Sequence, residues 1–280
     1  MLLETLLEVR RRSEVLISPL EPEDLVLQGM EDASPPKWHL AHTTWFFDTF
    51  LLQPHLPGHT ACDPRWSYQF NSYYDAVGER HPRPQRGLLS RPTIRDVLAW
   101  RRRIDLGLEL LLECSCPQLH PVAELGIHHE QQHQELLLMD LLDGFSRQPL
   151  EPVYAADADL ALQVKEAGWL ACDGGLMEIG HSGTGFHFDN EGPRHRVWLE
   201  PFELGTQLVS NADYRAFMAD GGYQRPELWM SEGWSLCQQN GWESPCYWRG
   251  KDQEFTLAGL RPLDPEAPVR HLSWFEADAF

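Results

Sequence analysis

The clearest pattern of apolar and polar positions lies in LGIHHEQQHQELLLMD, residues 125–140. This segment contains no proline, has glycine only at its second position, and is otherwise rich in Leu, Met, Gln and Glu, so it predicts a helix. Residues four apart share a helical face, so His129 and His133 lie on one side of it. Three leucines are predicted to continue that side into a core: Leu125, Leu136 and Leu137.

Similar patterns predict three long helices earlier in the chain, at 1–18, 37–52 and 93–113. The helix that contains His129 and His133 is the fourth and is predicted to run from 125 to 143. Four helices of this length, with one long connection between the second and the third, predict a four-helix bundle with a crossover. Bundles of this kind build metal sites from side chains on facing helices. A run of three arginines is predicted to lie on the outside of the third helix: Arg101, Arg102 and Arg103.

The composition changes near residues 149–152, and from Trp169 onward Gly, Trp, Tyr and Pro dominate. RHRVWLEPFEL, residues 194–204, alternates with a period of two and predicts one strand. Residues 211–220 predict a short helix capped by Ser210 or Asn211. These features predict a second, α+β domain, and they place the helical domain at 1–150, a linker at 151–168 and the second domain at 169–280.

Composition and charge exclude some classes of function. The 280 residues are 42% hydrophobic and carry a formal net charge of −19, whereas a nucleic-acid-binding surface needs positive charge. No segment approaches the run of about 20 apolar residues that spans a membrane. Glu4 and Glu8 interrupt the apolar N-terminal run, which argues against a signal peptide and predicts a cytoplasmic protein.

The histidines predict a metal site. His129 and His133 need a third ligand from another segment, and His42 in the second helix is the best candidate, with His39 as its rival. His128 likewise stays an alternative to its neighbour. Three neutral imidazoles leave part of a metal ion's coordination open, which is typical of a catalytic site, but imidazole suits Zn, Cu, Fe and Ni alike.

Two further patterns carry their own hypotheses. HEQQH also matches the HExxH pattern of zinc peptidases, in which Glu130 would be the general base; the expected downstream ligand is missing, because Glu151 lies between Leu150 and Pro152. A basic segment holds arginines three residues apart, and planar guanidinium groups bind carboxylates in a bidentate way. This spacing predicts recognition of a carboxylate-bearing small molecule by residues among Arg80, Arg83 and Arg86.

Several of these segments together resemble one family. SPPKWHLAHTTWFFDTF, FNSYYDAVGERHPRPQRGLLSRP and LGIHHEQQHQELLLMD resemble the DinB-like helical domain of the ergothioneine-biosynthesis sulfoxide synthases. DNEGPRHRVWLEPFELGTQLVSNADYRAFMADGGY resembles the start of their second domain, which is similar to the formylglycine-generating enzyme. The resemblance implies a multidomain fold of class α plus α+β: a DinB-like four-helix bundle followed by a partial C-type-lectin-like domain.

The resemblance also implies a function. It makes the chain a mononuclear non-haem iron(II), Fe(2+), enzyme in which His42, His129 and His133 match the iron ligands. Arg83 and Arg86 match the pair that binds a carboxylate of the thiol substrate. The implied reaction joins cysteine or γ-glutamylcysteine to C2 of hercynine with O2 and leaves a sulfoxide.

Other functions remain compatible with the sequence. Selenoneine-type and ovothiol-type synthases would share the iron site, and a metal-binding module without catalysis is the alternative of another class. In the family the second domain extends further and supplies the catalytic acid and the hercynine pocket. We therefore expect a truncated second domain here and assign no catalytic residue.

Overall fold

The first unit of the chain is helical. The computed structural model describes residues 1–72, 74, 76–113, 117–156 and 168–280, and it divides into two compact units, Met1–Ala155 and Ala156–Phe280. The helices of the first unit are α1 (Leu2–Ile17), α2 (Pro36–Phe47), α3 (Gln53–His55), α4 (Trp66–Phe70), α5 (Ile94–Glu113) and α6 (His120–Ser146), with a π-helical segment, Asp48–Leu52, directly after α2.

The four predicted long helices are present as α1, α2, α5 and α6. Two of them differ from the predicted limits. The second is helical from Pro36 to His55 without a break and includes the π-helical segment Asp48–Leu52. The fourth begins earlier than predicted, at His120. Pro121 explains that early start, because a proline in the first helical turn gives up no intrahelical hydrogen bond.

Helix α2 is the centre of this unit, since all of its residues are buried. Helices α1, α5 and α6 all contact it, and a helix that is apolar on most sides is stable only in such surroundings. The contact with α6 is close at Gly126, where an added Cβ would lie 2.4 Å from Cε1 of Phe47. This close crossing places the middle of α6, with His129 and His133, directly against α2.

The buried side of α6 is displaced by one residue from the predicted one. It runs through Gly126, Glu130, His133 and Leu137. Leu125 lies beside this stripe and is 37% exposed, so the prediction that it enters the core is wrong. Leu137 is buried as predicted, and Leu136 is partly buried.

The predicted position of Arg101 is also wrong. Arg102 and Arg103 are exposed, but Arg101 is fully buried between α1, α2 and α6. Its guanidinium donates to a carboxylate oxygen of Glu130 and, at 2.7 Å, to the carbonyl oxygen of Arg10. A buried charge is tolerated when it is paired in this way, and periodicity alone does not show such a partner.

The second unit combines short helices with small antiparallel sheets. Its strands are β1 (Trp169–Cys172), β2 (Gly175–Ile179), β3 (His195–Leu199), β4 (Phe202–Gly205), β5 (Trp248–Arg249), β6 (Gln253–Thr256) and β7 (Gly259–Pro262), and its helices are α7 (Asn211–Ala219), α8 (Ser231–Asn240) and α9 (Trp274–Ala279). β1 pairs with β4, β2 pairs with β3, and β5, β6 and β7 form a three-stranded sheet. This mixture agrees with the predicted α+β class.

The predicted single strand 194–204 is two strands in the structure. β3 pairs with β2, with His195 opposite Ile179, whereas β4 pairs with β1. Pro201 lies between β3 and β4 and has no backbone N–H to donate to a sheet, so the chain changes partner there. The predicted helix at 211–220 is α7, and Ser210 is its cap: its hydroxyl accepts from the backbone N–H of Asp213.

The predicted linker, 151–168, falls largely on residues 157–167, which lie outside the described residues. The domain limits at 150 and 168 therefore stay a prediction. No helix among the described residues is long and apolar enough to cross a membrane.

Candidate metal centre

Three histidines from two helices converge at the crossing of α2 and α6. His42 comes from α2, and His129 and His133 lie one turn apart on α6. One ring nitrogen of each lies within 4.8 Å of the others. The structure thus brings together the three histidines that the sequence singled out, with side chains from two helices that pack directly against each other.

A hydrogen bond and a stacking contact fix the orientation of the His42 ring. Its Nδ1–H donates to the carbonyl oxygen of Phe70 at 2.6 Å, so its Nε2 carries the lone pair. That Nε2 lies 3.2 Å from Nε2 of His129. Trp38 stacks on the His42 ring with centroids 4.6 Å apart, and the residue is fully buried. The chain therefore holds one imidazole in the orientation and tautomer that a metal ligand needs.

The surroundings keep these histidines neutral. Burial lowers the pKa of His129 to about 4. Burial, and then the neighbouring histidines, hold the pKa of His42 and of His133 well below the ordinary value. A neutral imidazole presents a lone pair to a cation, whereas a protonated one repels it. At neutral pH these imidazoles are therefore unprotonated and able to coordinate a cation.

The donor set fits a divalent ion. Two nitrogens that each bind an ion at about 2.1 Å lie about 3.0–3.4 Å apart, and the two Nε2 atoms of His42 and His129 are 3.2 Å apart. Nδ1 of His129 is buried and has no hydrogen-bond partner among the described residues. The two Nε2 atoms can share one hydrogen bond in the metal-free protein, and a cation held between them would take its place.

The two alternative ligands, His39 and His128, are not part of the group of converging histidines. His39 is beside His133, with its Nδ1 2.9 Å from Nδ1 of His133 and its Nε2 3.0 Å from a carboxylate oxygen of Asp140. Both of its ring nitrogens are thus engaged. His128 is partly exposed and does not belong to the convergent group. Sequence reasoning missed Asp140, although its position seven residues after His133 puts both on one helical face.

Glu130 is not placed to serve the metal site as a base. Ser13 donates to one of its carboxylate oxygens at 2.6 Å, and Arg10 donates to the other at 3.3 Å. Burial alone would raise the pKa of this carboxyl, but Arg101 and Arg10 lower it below its usual range. The carboxylate is fully buried and occupied by these partners, so the HExxH peptidase hypothesis has no general base.

Arg86 links the basic segment to the histidines. It lies in a 3₁₀ turn, Arg83–Leu88, and its guanidinium stacks over the ring of Trp38 at 3.5 Å. It donates to the hydroxyls of Ser34 and Ser72 at 2.8 and 3.2 Å. Since Trp38 in turn stacks on His42, a buried positive charge lies one ring away from the metal site.

Arg83 is one 3₁₀ turn from Arg86 and is partly exposed, and Arg80 is exposed. Side chains three residues apart in a 3₁₀ helix lie on the same side. The turn therefore places Arg83 and Arg86 on the same side of its backbone. Their role toward a substrate stays a prediction.

Comparison with known proteins agrees with this architecture. Residues 5–113 match the DinB superfamily, and residues 156–280 match the sulfatase-modifying factor enzyme 1-like domain. Similar curated proteins are named hercynine oxygenase. Those of Mycobacterium tuberculosis and Mycolicibacterium smegmatis are each 29% identical over 88% of this chain, and that of Mycolicibacterium thermoresistibile is 28% identical over 98% of it.

The chain spans 57–60% of the length of these relatives. Within that span the two domains occur in the predicted order, and the likeness continues through both of them. The chain therefore combines a DinB-like domain with a sulfatase-modifying-factor-like domain, and across both it is similar to proteins named hercynine oxygenase.

Proposed function

We propose that this chain binds iron(II) through His42, His129 and His133 and takes part in the O2-dependent coupling of a thiol to hercynine. The thiol is cysteine or γ-glutamylcysteine, and the product is the sulfoxide. The observation that carries the proposal is the convergence of three histidines in the interior of the first unit, with ring nitrogens within 4.8 Å of one another. The name hercynine oxygenase, borne by three relatives, supports the substrate.

The overall chemistry balances with O2 as the only oxidant. A C–S bond forms at C2 of the imidazole, the C–H and S–H hydrogens are lost, one oxygen atom enters the sulfoxide and the other leaves as water. The bound iron would supply open coordination positions and redox chemistry for O2. Neutral ligands leave the ion's positive charge uncompensated, which favours the thiolate form of a thiol that binds beside it.

The chain's own residues would position the thiol. We assign the substrate carboxylate to Arg83 and Arg86, because guanidinium groups bind carboxylates in a bidentate way. Arg86 is anchored by Ser34, Ser72 and the Trp38 ring, so its charge is held in place before any substrate arrives. Preorganised orientation of this kind is a large share of the rate enhancement when several reactants meet.

The test is an anaerobic iron(II) titration of the wild type and of His42→Ala. We expect tight binding by the wild type and loss of at least 100-fold in affinity in the variant, because two remaining imidazoles on one helix do not complete the site. His128→Ala is the matched control, since it removes a neighbouring histidine outside the convergent group. Its affinity should equal that of the wild type.

Oxygen uptake with hercynine and each thiol then tests the reaction. Uptake that requires hercynine and one thiol supports the proposal and names the sulfur donor. Iron binding without uptake would contradict the proposed reaction in this chain and favour a metal-binding module. Iron affinity that is unaffected by His42→Ala would contradict the three-histidine site itself.

A further inference from the structure

A chain of hydrogen bonds beside the metal site ends on His133. A carboxylate oxygen of Asp140 lies 3.0 Å from Nε2 of His39, and Nδ1 of His39 lies 2.9 Å from Nδ1 of His133. We infer that His39 and Asp140 are positioning residues, which hold His133 as its Nδ1–H tautomer and thereby present its Nε2 to the metal ion. This inference rests on the proposed metal site and deepens it.

The direction of the hydrogen bonds follows from the carboxylate. An ionised carboxylate only accepts, so Nε2–H of His39 donates to Asp140. A neutral imidazole carries one proton, and Nδ1 of His39 is then a lone-pair acceptor. The group facing it at 2.9 Å must donate, and that group is Nδ1–H of His133. The remaining ring nitrogen of His133, Nε2, is left with its lone pair.

The network is rigid because its members lie on the two helices that carry the proposed ligands. His39 is one turn before His42 on α2, and Asp140 is two turns after His133 on α6. The backbone N–H of Ser34 donates to the same oxygen of Asp140 at 2.8 Å, which fixes the carboxylate from a third segment. His39 is 3% exposed, so water does not compete for these bonds.

The same logic applies at His42, where the Phe70 carbonyl oxygen takes the place of His39. Both ligands thus use Nδ1–H for the protein and keep Nε2 for the ion. Partners that orient metal-bound histidines in this manner also raise ligand basicity, and their removal typically weakens metal binding about 10–100-fold. The two ligands differ in their partner: His42 donates to a backbone carbonyl oxygen, whereas His133 donates to His39, which in turn donates to Asp140.

The structure thereby gives His39 a role other than that of a ligand. Its two nitrogens are used by His133 and Asp140, so coordination by His39 would require both hydrogen bonds to break. Ser34 connects this network to Arg86, which we assign to the substrate carboxylate. Its hydroxyl accepts from Arg86, while its backbone N–H holds Asp140.

The experiment compares His39→Leu, His39→Gln and Ser34→Ala in the full chain. Leucine removes both hydrogen bonds, whereas the glutamine amide can accept from His133 and donate to Asp140. Ser34→Ala is the matched control, because it removes the hydroxyl that Arg86 uses and leaves the backbone N–H to Asp140. Cobalt(II) affinity and the cobalt d–d absorption are measured anaerobically, and the ¹⁵N shifts of His133 are recorded in the metal-free protein.

We expect His39→Leu to bind cobalt(II) 10–100-fold more weakly, His39→Gln to recover most of that loss, and Ser34→Ala to stay within threefold of the wild type. In the metal-free wild type the shifts should show a protonated Nδ1 on His133. Wild-type affinity in His39→Leu would overturn the inference. Complete loss in both His39 variants, with the folded spectrum retained, would also overturn it, because His39 would then be a ligand.

The outcomes separate this inference from the proposed function. If the wild type binds no metal, the proposed function fails, but the tautomer of His133 in the metal-free protein still decides the inference. A protonated Nε2 on His133 would overturn it. If His39→Leu does not fold, the comparison of wild type with His39→Gln and the same ¹⁵N shifts decide it.

Discussion

At the scale of single residues, Glu130 shows how a motif residue can have a structural role. It sits between two proposed metal ligands in HEQQH, yet its carboxylate faces the other way, toward Arg10, Arg101 and Ser13. Glu130, Arg10 and Arg101 are all buried. Both guanidinium groups share this carboxylate, and each has a second, more exposed carboxylate partner, Asp105 for Arg10 and Glu14 for Arg101. Glu130 is the only fully buried carboxylate among these three, and charges in the interior are costly unless they are paired.

We therefore predict that Glu130→Gln lowers the free energy of unfolding by about 3–5 kcal/mol, as expected when one partner of a buried ion pair is removed. Urea unfolding measures this loss. Glu135→Gln is the control, because Glu135 is an exposed carboxylate on the same helix, and its effect should stay within about 0.5 kcal/mol. Unchanged stability in Glu130→Gln would contradict the structural role and reopen the hypothesis that Glu130 is a general base.

At the scale of helices, the site depends on how closely α6 approaches α2. Gly126 provides that approach, because a Cβ there would lie 2.4 and 2.6 Å from two ring carbons of Phe47. The neighbouring Phe46 packs on the His129 ring with centroids 4.9 Å apart. The crossing and the position of one proposed ligand are therefore linked through adjacent phenylalanines.

We predict that Gly126→Ala destabilises the first unit by about 1–3 kcal/mol, since overpacking outweighs the gain of about 1 kcal/mol in helix propensity. It should also weaken metal binding, because a displaced α6 carries His129 with it. Gly107→Ala is the matched control on α5. Its added Cβ would meet a Leu52 methyl at 2.7 Å, the mobile end of a side chain, so the cost should be smaller. Thermal unfolding and cobalt(II) titration of both variants test this, and equal stability of Gly126→Ala and wild type would contradict it.

At the scale of the whole chain, the two units have separate cores. The first core includes Trp45, Phe47 and Leu108, and the second is built around Tyr214, Tyr223 and Trp229. All three proposed ligands belong to the first unit. A bound ion should therefore stabilise one unit and leave the other unchanged.

We predict two unfolding transitions in calorimetry, of which only one responds to metal. At a free cobalt(II) concentration of 100 times Kd, that unit gains about 2.7 kcal/mol, which raises its Tm by about 5–11 °C. The other transition should not move. The shift should vanish in His42→Ala, and a single transition that moves as a whole would contradict the independence of the two units.

The sequence by itself determined that the first unit has four long helices and that two histidines of α6 share one side. Long segments of strong helix formers with apolar residues at helical spacing favour helices, and a spacing of four residues puts His129 and His133 on one side by geometry alone. The resemblance to a two-domain family was also evident from the segments around His42, Arg83 and HEQQH, and the matches to both domains confirmed it. His129 and His133 could be selected from the sequence because their spacing is local. His42 was preferred to His39 as the third ligand, but only the resemblance matched it to the ligand set.

Only the tertiary structure decided which polar groups are partners. Arg101 and Glu130 are 29 residues apart, and His39 and Asp140 are 101 apart, so no local pattern predicts their contact. The split of 194–204 into β3 and β4 has the same origin, since each strand is selected by a different distant partner. A helical period fixes which residues share a side, whereas the burial of Arg101 and the hydrogen-bond partner of His133 depend on what another segment places there.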